Sequence, residues 1–245
     1  MNNYKITVEY DGSGFYGWQR QKKFRNTIQE CIEENLSKLL KVNISVTGAG
    51  RTDAGVHAYN QTANFKTDSS IPDSNKFLYS LNSLLPSAIT VKSIRKVSND
   101  FHSRYSAKRR EYLYKITTRE ISIGRKYYLK LNYKLDFKVI DEFIKILIGY
   151  HSFKSLCRNK EDKHGFFCNL MKLEYRINKS KNTIVFRILS DRYLHSMVRA
   201  TIGVLIDLGR GKLQLKDTYN KLIKGEKIKT TYLPANALFL NKIYY

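Results

Sequence analysis

Acidic residues are scarce in this chain. Asp and Glu number 21 against 44 Lys and Arg in 245 residues, which leaves a formal charge of +23. That excess excludes solubility as its sole purpose and favours a polyanionic partner, with RNA or DNA ahead of a membrane surface. Cysteine is almost missing: Cys31, Cys157 and Cys168 make an odd count without close pairing. This excludes a disulfide framework and suits a reducing compartment. Long apolar runs are also missing. The stretches VIDEFIKILIG and ATIGVLIDLG are broken by charge and fall far short of a membrane span. The start, MNNYKITVEYDG, enters strand alternation without a basic or apolar leader, so no signal peptide is expected. With 42% hydrophobic and 27% charged residues, the expectation is a soluble, basic, cytoplasmic globular protein with no membrane partner.

What is present alternates between two periods. KITVEYDG reads as a strand with Ile6, Val8 and Tyr10 on one face. FRNTIQECIEENLSKLLK reads as a helix, with Thr27 and Glu30 at capping-box spacing and Ile28, Ile32 and Leu36 at helical intervals. NISVTG and VHAYNQTANFKT are strands on either side of a glycine-rich loop. Asp73 opens a helix that Pro86 ends, and AITVKSIRKVS follows as a strand. From about residue 104 the chain turns basic and tyrosine-rich. SRYSAKRREYLYKITTRE reads as strand, DFKVIDEFIKILIG as an amphipathic helix capped by Asp136, and LMKLEYRINKS with NTIVFRILS as a hairpin. RYLHSMVRATIGVLIDLGRG reads as a buried helix stopped by Gly209 and Gly211, DTYNKLIKG as a shorter helix, and ALFLNKIYY as a closing strand. Helices mixed with directly joined strands imply an α+β fold with largely antiparallel sheets. The pattern divides into an N-terminal domain, 1–104, and a C-terminal domain, 105–245.

The loop GAGRTDAGVHAYNQ, 48–61, carries the chemistry. Its composition serves two purposes equally: a tight turn braced by an Arg51–Asp53 pair, or a scaffold that holds the Asp53 carboxylate against a substrate. A metal site on Asp53 and His57 lacks further ligands, and G-x-G-x-x-G is absent, so no phosphate-cradling glycine loop is present. A second cluster, His151, Cys157, His164 and Cys168, has the spacing H-x5-C-x6-H-x3-C, which fits no common structural zinc site. No metal is expected. Basic residues form two candidate phosphate patches: Arg104, Lys108, Arg109 and Arg110 among tyrosines, and Arg20, Lys22 and Lys23 with Arg25.

These stretches resemble the TruA family of tRNA pseudouridine synthases. The loop resembles the family's G-A-G-R-T-D-A-G-V-H-A-x-x-Q motif. Tyr10-Asp11-Gly12 through Gln21, Leu81-Asn82 with Leu85-Pro86, Phe101-His102-Ser103-Arg104, Arg110-Glu111-Tyr112 and Met197-Val198-Arg199 resemble its other motifs in the same order. Two stretches depart. The family shows G-x-H-D-F where this chain has Gly149-Tyr150-His151-Ser152-Phe153, and A-P-A-x-G-L where it has Leu233-Pro234-Ala235-Asn236-Ala237-Leu238. The resemblance implies a pseudouridine synthase fold of two related domains with the active-site cleft between them, and a homodimer. It implies isomerisation of uridine in the anticodon stem-loop of tRNA, around positions 38, 39 and 40, without a cofactor. Asp53 corresponds to the catalytic aspartate; Arg51, His57, Gln61, Tyr112 and Arg199 correspond to substrate-binding positions, Arg199 also as a partner of Asp53. The rivals are a non-catalytic RNA-binding module on the same fold, or the same chemistry on another RNA.

Overall fold

The structure is a computed structural model and describes residues 1–158 and 161–245. In chain order the first half runs β1 (Asn2–Tyr10), α1 (Ile28–Leu40), β2 (Val46–Gly48), β3 (His57–Thr67), α2 (Ser74–Leu84) and β4 (Ile89–Val97). The second runs β5 (Arg109–Thr117), β6 (Leu129–Lys130), α3 (Phe137–Leu147), β7 (Gly149–Ser152), β8 (Phe167–Asn178), β9 (Thr183–Ser190), α4 (Met197–Gly209), α5 (Leu215–Lys224) and β10 (Leu238–Tyr244). Two compact units result: Met1–Lys108 with Phe239–Tyr245, and Arg109–Leu238. The last seven residues therefore belong with the first unit, whereas periodicity alone groups them with the C-terminal domain.

In the first unit the strands lie in the order β4-β1-β3-β10, with β2 on β3. β1 pairs antiparallel with both β3 and β4, and β10 pairs parallel with β3, placing Phe239 opposite His57. Ile6, Val8 and Tyr10 are buried, as the alternation requires. α1 begins where the Thr27 hydroxyl accepts from the Glu30 amide, while the Glu30 carboxylate reaches back to the Asn26 amide. Asp73 caps α2 by accepting from the Asn75 and Lys76 amides.

The second unit is an antiparallel sheet in the order β5-β9-β8-β7, with β6 added parallel to the end of β5. α3, capped by Asp136, buries Ile140, Phe143 and Leu147. α4 buries every residue except Arg199. It begins at Met197, later than the apolar pattern suggests, because Ser196 adopts φ +59°, a left-handed conformation that a helix interior does not admit. Both units are α+β with largely antiparallel sheets flanked by helices, the expected class. No described helix is long and apolar enough to cross a membrane.

Candidate active site

Loop 49–56 joins β2 to β3 and is tied along its length. The Ala49 amide donates to the Thr62 carbonyl at 2.8 Å, and the Gln61 side-chain amide donates to the Gly50 carbonyl at 2.8 Å. The Thr52 carbonyl accepts from the Trp18 amide at 3.1 Å, and its hydroxyl meets the Tyr10 hydroxyl at 2.8 Å. The Val56 amide donates to the Asp53 carbonyl at 3.2 Å, closing a turn through Gly55. Asp53 itself is half-buried at the head of this turn. Five hydrogen bonds thus fix the loop around it, and a carboxylate on such a frame keeps its position without help from the substrate.

The segment after β1 forms the floor. A methyl group on Gly12 would fall on the Val56 carbonyl oxygen. One on Gly17, at φ +91°, would lie 2.6 Å from the Thr52 carbonyl oxygen. Only glycine allows the two backbones this close. His57 is 1% exposed and stacks on Phe239 at 4.7 Å. Its Nδ1 lies 3.0 Å from the Gly12 amide and 3.0 Å from Asp11 Oδ1. One nitrogen faces both neighbours, accepting from the Gly12 amide when it carries no hydrogen and donating to Asp11 when it does. Gln61 is fully buried. His57 and Gln61 are both buried against the loop and the segment after β1.

A polar relay that sequence reasoning missed anchors the far side. Glu33, 2% exposed, accepts from the Val46 amide and the Gln29 side chain, both at 2.9 Å. Gln29 also donates to the Val46 carbonyl and accepts from the Gln19 side chain and the Arg20 amide. The Arg20 guanidinium sits 3.2 Å from Glu33, which supplies the counter-charge that a buried carboxylate needs. Arg51 is exposed and its Nε donates to Gln19 at 3.1 Å. Gln29 and Glu33 are four residues apart beside Ile32 and Leu36. That polar pair on an apolar face was the available signal.

The other substrate-binding candidates, Tyr112 and Arg199, lie in the second unit. Tyr112 is 7% exposed and meets Tyr193 edge-on at 5.1 Å; desolvation pushes the Tyr193 phenol well above its ordinary pKa. Glu111 is buried and paired with Arg187. Arg199 is half-buried and its Nε donates to the Leu233 carbonyl at 2.5 Å. Among the phosphate candidates, Arg20, Lys22, Lys23, Arg104, Lys108 and Arg109 are exposed. Arg110 differs, donating to the Asp191 carbonyl at 2.7 Å. Beside Lys22 and Lys23, the exposed rings of Tyr16 and Phe24 stack at 4.8 Å.

Among the described residues no group of three His, Cys, Asp or Glu is placed to hold a metal. His151 Nε2 contacts the Ile148 carbonyl, and burial pushes the Cys168 thiol up to about 12. At the second departure from the family pattern, the Tyr114 hydroxyl donates to the Pro234 carbonyl and the Asn236 side chain donates to the Lys126 carbonyl.

The sequence profile described as tRNA pseudouridine synthase matches residues 6–106 and 143–245, and the chain belongs to that family. Within it, the chain is 39% identical to tRNA pseudouridine synthase A of Pelodictyon phaeoclathratiforme over 100% of both chains. It is 38% identical to tRNA pseudouridine synthase A of Bacteroides fragilis, over 100% of this chain and 97% of that one. A crystal structure of a Cbf5-Nop10-Gar1 complex overlaps 83% of this chain and 45% of the other at a TM-score of 0.37 and 10% identity, too weak to bear on the assignment.

Proposed function

We propose that this enzyme converts uridine to pseudouridine in the anticodon stem-loop of tRNAs, around positions 38, 39 and 40, with Asp53 as its single catalytic carboxylate. The observation that supports this most is the bracing of loop 49–56 through Gly50, Thr52 and the Asp53 carbonyl. Attack on a carbon, or support of a cationic sugar centre, needs a carboxylate already in place. The C1′–N1 bond breaks, the uracil turns, C5 bonds to C1′, C5 releases its proton, and N1 gains one. No electrons or groups are left over, so the reaction requires no cofactor.

A uridine in a folded stem must leave its stack, at a cost of a few kcal/mol. Tyr112 is the residue we assign to packing against the flipped base, with Arg51 and Arg199 offering guanidinium groups to the substrate. Arg20, Lys22, Lys23, Arg104, Lys108 and Arg109 contact phosphates, and His57 and Gln61 act by holding the loop. From the family resemblance we also place the enzyme in the cytoplasm as a homodimer, for which sedimentation would give twice the chain mass. The reading is tested by mapping pseudouridine in unmodified tRNA after incubation, using carbodiimide adducts and primer extension. Stops at positions 38 to 40 are expected; stops confined to other positions, or none, would contradict it.

A further inference from the structure

Residues 119–130 lie apart from every motif that carries the family resemblance, and they line an open pocket of about 660 Å³. That volume is within the ordinary range for a ligand pocket, about 300–1,000 Å³. The stretch is shaped by short-range contacts. The Thr117 hydroxyl bonds the Arg119 carbonyl at 3.1 Å, turning the chain off the end of β5. Gly124, at φ +76°, leads into a single 3-10 turn over Arg125–Tyr127, closed by the Tyr127 amide on the Gly124 carbonyl at 2.9 Å. β6 then returns alongside β5, with Leu129 opposite Ile116. Asn236 comes from more than a hundred residues away. Its side-chain amide donates to the Lys126 carbonyl at 2.5 Å and pins the turn that forms one wall.

The lining is cationic and aromatic. Arg119, Arg125, Lys126 and Lys130 face the cavity with the rings of Tyr127 and Tyr128. The lining carboxylate, Glu120, is taken by Lys130. Among the described residues neither Arg119 nor Arg125 has an ion-pair partner. Concave surfaces with uncompensated cations concentrate positive potential. The guanidinium fork matches the oxygens of a phosphate, and tyrosine faces accept a sugar or base beside it. The position that pins the turn, Asn236, falls at the freely varying position of the family's C-terminal motif.

We infer that this cavity is a phosphate-binding site, and that its phosphate comes from the backbone of the bound RNA. The RNA assignment rests on the function proposed above. The test uses the full chain with Arg119→Gln and Arg125→Gln combined, read in two arms. In the first, affinity for unmodified tRNA is measured against salt concentration. The double variant should bind about tenfold more weakly at physiological salt, with a log–log slope shallower by about one to two units. Its turnover at saturating tRNA should stay within about twofold of wild type. Combined Arg119→Lys and Arg125→Lys should restore the slope, which a merely structural role would not require, and Asn236→Ala should lose part of it.

In the second arm, inorganic pyrophosphate is titrated into each protein and followed by phosphorus NMR line width. Broadening with wild type and none with the double variant supports the phosphate chemistry. If that difference appears while tRNA affinity and slope are unchanged, the RNA assignment is overturned in favour of a free phosphate ligand. If neither arm separates the two proteins, the site itself is overturned. Failure of the isomerase reading has a separate sign: wild type that binds tRNA with a steep salt slope yet makes no pseudouridine.

Discussion

Loop 49–56 and turn 124–128 are both short, glycine-containing connections next to strands, yet they are built in opposite ways. The first is fixed by buried partners on every side: Tyr10, Trp18, Gln61 and the segment holding Gly12 and Gly17. The second closes on its own backbone bonds and one clamp from Asn236, while Arg125 lines the open pocket. Bond-making tolerates displacements of well under an ångström, so a reacting carboxylate calls for an over-determined frame. Charge attraction to a phosphate varies slowly with distance, so exposed cations on a lightly held turn suffice.

The contrast is sharpest at glycine. Gly12→Ala should have the largest effect, because its methyl group meets the Val56 carbonyl oxygen rather than a side chain that can move. A cost of about 1–3 kcal/mol in stability is expected, with a fall in kcat of about a hundredfold as the loop shifts. Thermal melting and single-turnover assays read both. Normal kcat in this variant would mean that the frame is not what positions Asp53.

Glu33→Leu comes next. It leaves the Val46 amide without its acceptor and releases Gln29 and Arg20 together. The expected loss is about 2 kcal/mol, or roughly 4–8 °C in melting temperature for a chain of this size. Gly124→Ala should cost about 1 kcal/mol for the left-handed backbone alone, since nothing lies closer than Tyr127 at 4.0 Å. Its kcat should be unchanged. A Gly124 variant as damaged as the Gly12 variant would erase the distinction between the two loops.

The smallest effect is expected at Asp162, whose carboxyl is held below its usual pKa by the Arg192 guanidinium and the His164 amide. A lowered folded-state pKa stabilises the protein above the unfolded value, near 3.9, and that contribution disappears as pH falls through the folded value. A half-buried surface pair of this kind is worth about 1 kcal/mol. Asp162→Asn should therefore melt slightly earlier than wild type near pH 6, and the gap should close as pH falls through the folded value. A gap that persists in acid would point to something other than the ion pair.

Local signals made much of this molecule readable from sequence. The caps at Thr27, Asp73 and Asp136, the alternation of Ile6, Val8 and Tyr10, and the β8–β9 hairpin all depend on neighbours within a few residues. The Asp53 loop was visible for the same reason: its glycines, arginine and aspartate are contiguous. Features set by distant contacts were not readable. The return of β10 to β3 joins residues about 180 apart, and Asn236 reaches Lys126 across 110 residues. Polar residues were the other blind spot. His57, Gln61, Gln29 and Glu33 look like groups meant for a ligand or for solvent, and each makes hydrogen bonds to the frame around the loop. Nothing in residue type separates a polar side chain that holds a site from one that uses it.

The central claim is that Asp53 performs the isomerisation, and tritium release from tRNA labelled at uridine C5 tests it most directly. Forming the new bond at C5 expels that hydrogen. Wild type should release tritium, while Asp53→Ala should release none above background and still bind tRNA with wild-type affinity. Equal release by both proteins would remove Asp53 from the mechanism, and with it the reason for so heavily braced a loop.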